Sequence, residues 1–145
     1  MLLKIKKLNS LAKTPAYGSA GSAGADLYAA TDSPTFIAAG ETAFIGTGIA
    51  VEIPEGYVGL VYARSGLACK KGLAPANKVG VIDADYRGEI KVAVHNHSSS
   101  GQTVDAGERI AQLVIAPFLK CEFIETDELS DTVRGKGGFG STGNL

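Results

Sequence analysis

Short apolar runs, separated at close intervals by glycine-containing turns, limit what this chain can form more than any other feature. Several runs alternate in character, among them residues 49–53 and 89–94. Turn signals such as Pro54-Glu55-Gly56 and Ala106-Gly107-Glu108 lie between them. A series of about ten short strands at this spacing predicts an all-β sandwich or barrel. The last of the predicted strands covers residues 122–124.

One short helix is predicted over residues 65–72. Ser65 is a residue type that caps helix starts, and Gly72 is one that ends helices. A helix between these two residues holds only about two turns.

Length and charge exclude several classes of protein. The chain has 145 residues, which suits one domain, and 45% of them are hydrophobic. A formal net charge of -1 argues against a dedicated nucleic-acid-binding protein. No apolar run approaches the roughly 20 residues that cross a bilayer. Charges scattered through residues 1–7 do not suit an export signal, so we expect a cytoplasmic protein without a membrane partner, and a nuclear or host-cell location stays open.

The C-terminal residues 134–145 differ in composition from the rest of the chain. They are rich in glycine and hold almost nothing apolar besides Phe139. Because such a segment buries too little to offset its ordering entropy, we expect it to be mobile on its own. An enzyme could use it as a lid, and a structureless tail is the alternative.

Two arginines stand among residues that suit phosphate binding. Arg64 precedes Ser65 and Gly66, which add a hydroxyl and backbone N–H groups. Arg134 precedes the glycine-rich tail, whose backbone N–H groups can close on phosphate oxygens. Arginine's planar fork suits phosphate better than lysine's point charge. Surface arginines that pair with nearby carboxylates are the alternative.

Carboxylates follow the apolar run that ends at Ile82. Asp83 and Asp85 project to one side of an extended segment, where one of them could serve as a general base for a water molecule. Aspartate also favours turns, so a purely structural role stays open. A third carboxylate, Asp26, follows small residues that allow close approach.

The histidines and cysteines are weaker candidates for chemistry. His95 and His97 share one face of a strand, but a third and a fourth zinc ligand are hard to find. We therefore expect both histidines to face solvent at the end of a strand. Cys69 and Cys121 lack the neighbours that activate a thiol.

Taken together, these pieces resemble the trimeric dUTP pyrophosphatases (dUTPases) over nearly the whole chain. Five blocks match that family in order: Ala23-Gly24-Ala25-Asp26-Leu27, Arg64-Ser65-Gly66-Leu67-Ala68, residues 80–88 from Gly80 to Gly88, Gly107-Glu108-Arg109-Ile110-Ala111-Gln112-Leu113, and residues 134–143 from Arg134 to Gly143. Each block alone is weak, whereas all five at the family's spacing are very specific.

The resemblance implies a β-clip-like jelly-roll subunit over residues 1–133 and a flexible arm over residues 134–145. It also implies a homotrimer with shared active sites. The implied reaction is Mg²⁺-dependent hydrolysis of dUTP to dUMP and pyrophosphate, through attack of water on the α-phosphorus. That reaction lowers dUTP and supplies dUMP for thymidylate synthesis.

The resemblance also assigns roles to individual residues. Asp83 would be the general base, and Asp26 would bind the metal through water. Tyr86 would pack beneath the deoxyribose, and Asn77 would read the uracil edge. The remaining substrate-binding positions are Arg64, Ser65, Gly66, Gly80, Val81, Ile82, Gln112, Arg134, Phe139, Gly140, Ser141 and Thr142. Among these, Phe139 would stack over uracil while Arg134, Ser141 and Thr142 hold the terminal phosphates.

Two other functions remain as alternatives. A dCTP deaminase shares this fold, but Ala93 stands where those enzymes are expected to carry a catalytic glutamate. A non-catalytic jelly-roll binding module fits the composition equally well, although it would have no reason to keep Asp83, Tyr86 and the tail together. Of the other charged residues, we expect Glu89 and Lys91 to face solvent and Arg109 to pair with Asp85.

Overall fold

The computed structural model describes residues 1–138, and over that part the chain forms twelve strands and one helix. The prediction of an all-β protein with a single short helix is confirmed. The elements are β1 Lys4–Lys7, β2 Ala16–Tyr17, β3 Ala25–Tyr28, β4 Thr35–Ile37, β5 Thr42–Gly46, β6 Ile49–Glu52, β7 Tyr57–Tyr62, α1 Ser65–Lys71, β8 Leu73–Pro75, β9 Val79–Ile82, β10 Lys91–Asn96, β11 Gln102–Val104 and β12 Arg109–Pro117.

All strand pairs are antiparallel, and the strands form four sheets of the jelly-roll type. The largest sheet has the order β2-β3-β12-β7-β9, with the nine-residue β12 at its centre. A three-stranded sheet has the order β5-β10-β8, and the pairs β1-β6 and β11-β4 complete the fold. Because most neighbouring strands come from distant parts of the chain, residues far apart in sequence meet at the sheet surfaces.

The core is built from the inward-facing positions of these strands. Along β10, Val92, Val94 and Asn96 are buried while the residues between them are more exposed, as a half-buried strand requires. The buried Asn96 is satisfied, because its amide donates to the carbonyl oxygens of Ile37 at 3.0 Å and Ser100 at 2.8 Å.

The helix differs from its predicted start. Arg64, with φ −90° and ψ 130°, occupies the N-cap position, and no side chain caps the helix, so the prediction of a serine cap was wrong. Ser65 is instead the first helical residue. Gly72 ends the helix as predicted, because its φ of 67° lies in the left-handed region that glycine adopts without strain.

The segment after β12 contains no helix and no strand as far as residue 138. The predicted strand over residues 122–124 is therefore wrong, since Phe123 is 95% exposed and Ile124 is 81% exposed. Within a single chain these apolar side chains find no sheet edge to pair with. The part of the chain described here also contains no helix that is long and apolar enough to span a membrane.

Candidate active site

A cavity of about 390 Å³ lies where β3, β12 and the junction between β7 and α1 meet. The register of β12 creates this meeting point, because Gln112 pairs with Asp26 of β3 on one side and with Tyr62 of β7 on the other. The chain leaves β7 through Ala63 and turns into α1. As a result, the cavity is lined by five of the predicted site residues, namely Asp26, Arg64, Ser65, Gly66 and Gln112.

Asp26 holds two arginines at the wall of this cavity. Its Oδ1 accepts the Nε–H of Arg64 at 2.6 Å, and its Oδ2 accepts an Nη1–H of Arg109 at 3.2 Å. Asp26 is only 8% exposed, so both contacts form in partly desolvated surroundings. The expected pairing of Arg109 with Asp85 is wrong, because β12 places Arg109 opposite Tyr28 at the end of β3. Two guanidinium groups thus share one carboxylate, and the cavity wall keeps a net positive charge.

Gln112 is fixed by its backbone neighbours. Its amide Nε2 donates to the carbonyl oxygen of Ala63 at 2.9 Å, which ties β12 to the residue just before Arg64. Gly24 lies directly against the Gln112 side chain, and a Cβ atom at position 24 would collide with it. The small residues before Asp26 therefore permit the close approach that the sequence indicates.

Asp83 lies in the turn that follows β9. Its carbonyl oxygen accepts the backbone N–H of Tyr86 at 3.1 Å, and Arg87 Nη1 donates to the carbonyl oxygen of Ala84 at 2.6 Å. Asp83 lines a second cavity of about 320 Å³, together with Val81 and others. The side chain of Asp83 is exposed, which suits a group that must reach a ligand.

Asn77 lies in the tight connection between β8 and β9. Lys78, at the next position, has φ 65°, and the backbone N–H of Val79 donates to the carbonyl oxygen of Asn77 at 2.7 Å. Gly80 is buried beside this turn, and a Cβ atom there would lie 3.2 Å from Asn77 Nδ2 and 3.3 Å from Val61 Cβ. Because position 80 has no side chain, the Asn77 amide can occupy its position without a close contact.

Asp83 and Arg64 do not meet within one chain. On β7, Gly59 faces Ile82 and Tyr62 faces Val79. Asp83 lies beyond the Gly59 end of this pairing and Arg64 lies beyond the Tyr62 end. Because a strand rises about 3.3 Å per residue, the two side chains are separated by more than roughly 10 Å. One copy of the chain therefore places Asp83 and Arg64 beyond opposite ends of this strand pairing.

The C-terminal candidates are described only in part. Arg134 is exposed, and its Nε donates to the carbonyl oxygen of Gly137 at 2.8 Å. The predicted ligands Phe139, Gly140, Ser141 and Thr142 lie outside the described residues.

His95 and His97 lie side by side, with ring centroids 4.4 Å apart. His95 Nδ1 and Thr42 Oγ1 are hydrogen-bonded at 2.8 Å. Desolvation of the imidazole lowers the pKa of His97, and the positive charges of Lys78 and His95 lower it further. Within residues 1–138 no three histidine, cysteine or acidic side chains cluster as metal ligands would. Cys69 and Cys121 are exposed free thiols.

Two charged residues, Arg109 and Glu89, make contacts that the sequence does not predict. Arg109 reaches the buried carboxylate of Asp26, and Glu89 turns its carboxylate inward to accept the backbone N–H of Gly48 at 2.8 Å. The expectation that Glu89 faces solvent is therefore wrong, whereas Lys91 is exposed as expected. Sequence spacing carried no signal for either contact, because each joins residues more than 40 positions apart.

Comparisons with known proteins identify the family of this chain. The family model described as dUTPase matches residues 11–143. The chain is 54% identical to the deoxyuridine 5'-triphosphate nucleotidohydrolase of Nautilia profundicola, and the match covers 99% of each chain. It is 50% identical, again over 99% of each chain, to the protein of the same name from Hydrogenobaculum sp.. Its structure is similar to that of the Staphylococcus bacteriophage 80alpha dUTPase with dUPNHPP, with a TM-score of 0.90, 32% identity and 98% of each chain covered. This chain belongs to the dUTPase family.

Proposed function

We propose that this protein hydrolyses dUTP to dUMP and pyrophosphate by Mg²⁺-dependent attack of water on the α-phosphorus, in active sites shared between copies of a homotrimer. Its product dUMP would feed thymidylate synthesis. The observation that carries the proposal is the cavity in which Arg64, Ser65, Gly66 and Gln112 converge around the Asp26 carboxylate. A triphosphate needs such a set of guanidinium, hydroxyl, amide and backbone N–H donors.

In this proposal Arg64 supplies the main positive charge for the phosphates. Its Nε is committed to Asp26, and within residues 1–138 its two Nη groups make no hydrogen bond. Those Nη groups are free to donate to two phosphate oxygens, as a guanidinium fork does. Asp26 holds the guanidinium plane in place, and Gln112 is held by the Ala63 carbonyl oxygen. Ser65, being the first residue of α1 rather than its cap, keeps its hydroxyl available for substrate.

The chain's own residues fit a magnesium ion held mainly by substrate. Mg²⁺ prefers oxygen ligands and retains several waters. Each Asp26 oxygen already accepts one arginine N–H, and its second lone pair remains able to accept a hydrogen bond from metal-bound water. A bound Mg²⁺ would neutralise phosphate charge and so favour attack by water.

Asp83 is proposed as the general base that orients the attacking water. It has the exposure needed to reach a substrate, and the turn from Asp83 to Tyr86 fixes its backbone. Tyr86 would lie beneath the deoxyribose, and Asn77 would bind the uracil edge beside Gly80, Val81 and Ile82. A positioned base of this kind contributes roughly 10²–10⁴ in rate.

A shared site accounts for the separation of Asp83 from Arg64. Because more than about 10 Å divides them in one chain, one copy would supply Asp83 and Tyr86 while a second supplies Arg64 and Gln112. The arm, proposed as residues 134–145 following the domain of residues 1–133, would close over the site with Arg134, Phe139, Gly140, Ser141 and Thr142.

The first experiment compares Asp83→Asn with Asp85→Asn as its matched control. Pyrophosphate release from dUTP with Mg²⁺ should fall about 10²–10⁴-fold in Asp83→Asn, because the base is lost while the shape is kept. Asp85→Asn should retain most of its turnover. Equal rates for wild type and Asp83→Asn would remove Asp83 from the proposed role.

The second experiment tests sharing of the site. Asp83→Asn and Arg64→Gln are each expected to be inactive, and the two are mixed, denatured together and refolded. If a site takes Asp83 from one copy and Arg64 from another, mixed trimers contain some intact sites and recover part of the wild-type turnover. If both residues belong to the same copy's site, the mixture stays as inactive as its components.

Deamination of dCTP has no support from the described residues. Ala93 lies on β10 opposite Phe44, and an alanine cannot supply the acid–base group that deamination requires. We expect incubation with dCTP to release no ammonia.

A further inference from the structure

Glu89 connects the Asp83–Tyr86 turn to a rigid part of the fold. The carboxylate of Glu89 accepts the backbone N–H of Gly48 at 2.8 Å, and its side chain is only 25% exposed. The next residue, Ile90, is fully buried, and its backbone N–H and carbonyl oxygen both bond to the residues on either side of Gly48. Its N–H donates to the carbonyl oxygen of Ile49 at 2.8 Å, and its carbonyl oxygen accepts the Thr47 hydroxyl at 2.7 Å.

Gly48 gives the carboxylate a fixed partner. Its φ of 65° lies in the left-handed region, and a Cβ atom there would come within 2.9 Å of Ala12 and Asn9 atoms. Position 48 therefore suits only glycine, and its N–H points at the Glu89 carboxylate. Lys91 Nζ lies 3.8 Å from the other Glu89 oxygen and is largely exposed, so it holds the carboxylate only weakly.

The backbone of Glu89 in turn holds the Tyr86 ring. The Tyr86 hydroxyl donates to the Glu89 carbonyl oxygen at 3.0 Å, and the ring lies against Gly88. No other hydrogen bond of the Tyr86 side chain occurs within residues 1–138, and the residue is 44% exposed. The position of this ring therefore depends on where the Glu89 backbone lies.

We infer that Glu89 is a positioning residue. It fixes how closely the Tyr86 ring approaches the sugar, and thereby the discrimination between deoxyribose and ribose nucleotides. The inference rests on the proposed placement of Tyr86 beneath the deoxyribose. Steric exclusion of a 2′-hydroxyl acts over a fraction of an ångström, because repulsion rises steeply on contact. A ring whose support can drift leaves room for that hydroxyl, even when the ring itself is unchanged.

The test measures kcat/KM for dUTP and for UTP in five variants. Glu89→Met keeps the length of the side chain and removes the acceptor, so the dUTP-to-UTP ratio of kcat/KM should fall roughly tenfold or more. Glu89→Gln keeps an amide oxygen for the Gly48 N–H and should stay within about threefold of wild type. Glu41→Met is the control, since Glu41 is exposed and its side chain makes no hydrogen bond or ion pair within residues 1–138.

Tyr86→Phe removes the hydrogen bond from the Tyr86 hydroxyl to the Glu89 carbonyl oxygen. Its result does not depend on how well Glu89→Met folds. It should lower the ratio by a similar factor. The double variant should lower the ratio no further than either single change, because both remove one support. Unchanged ratios in Glu89→Met and Tyr86→Phe, or fully additive losses in the double variant, would overturn the inference. Failure of the wild-type protein to hydrolyse dUTP would instead overturn the proposed function.

Discussion

Replacing Asp26 by asparagine tests whether its carboxylate organises the phosphate cavity. Asparagine keeps the size of the side chain, but only one oxygen remains to accept from Arg64 and Arg109, and an NH₂ group faces the other guanidinium. A hydrogen bond to a charged group contributes about 1.5–3 kcal/mol. The Arg64 contact is the stronger of the two, since Arg64's side chain is 24% exposed while that of Arg109 is 53% exposed.

The expected loss follows from these exposures. We count the Arg64 contact near the full value and discount the Arg109 contact to that of a surface pair, which gives a loss of about 2–3 kcal/mol. With an unfolding entropy of about 2.1 cal/mol/K per residue, a chain of 145 residues should lose roughly 7–10 °C in Tm. Turnover should fall as well, because Arg64 loses the contact that orients its Nη groups.

The measurement is thermal unfolding of Asp26→Asn without nucleotide or metal, at the same protein concentration as wild type. Asp105→Asn is the control, because the Asp105 side chain is exposed and makes no ion pair within the described residues. Arg109→Gln, alone and combined with Asp26→Asn, then isolates the weaker contact, for which we expect a coupling of about 0.5–1 kcal/mol.

Stability of Asp26→Asn within about 0.5 kcal/mol of wild type would refute the argument that this carboxylate compensates two guanidinium groups. A loss of turnover without any loss of stability would assign Asp26 to metal-bound water alone. Both results can be told apart from the expected one, in which stability and turnover fall together.

Three further outcomes are expected. Deleting the residues after Thr132 should leave folding and assembly intact, since β12 ends at Pro117. The turnover of dUTP should fall at least roughly 10²-fold, because the arm can no longer close over the site. Full activity of the truncated protein would show that the arm is a structureless tail. Gly80→Ala should raise KM for dUTP, because the added Cβ would lie 3.2 Å from Asn77 Nδ2, and unchanged KM would show that this turn gives way freely. Because the pKa of His97 is lowered in the folded protein, the unfolded chain binds more protons below about pH 6.5, and stability should rise with pH through the interval between the two pKa values. His97→Gln should therefore be more stable than wild type at about pH 5 and equal to it at pH 8, by urea unfolding, whereas a constant difference at both pH values would contradict the titration argument.

Much of the fold could be predicted because it depends on local patterns. Alternation along β10 marks the residues that face the core, and Gly72 marks the end of α1. Phe123 and Ile124 also form a short apolar run, but they are exposed and form no strand. A strand needs a partner edge, and apolar character alone cannot show whether one chain provides it.

By itself, the sequence determined the all-β class, the short helix and the residue types of the candidate site, because backbone preferences and donor chemistry are properties of each residue and its near neighbours. Only the tertiary structure decided that Arg109 reaches Asp26, that Glu89 turns inward to Gly48, and that Asp83 and Arg64 lie at opposite ends of β7. These relations depend on strand register and on the packing of the loops between strands, which are set by the fold as a whole. A side chain's partner is therefore decided by the fold, while its capacity to bind is decided by its own atoms.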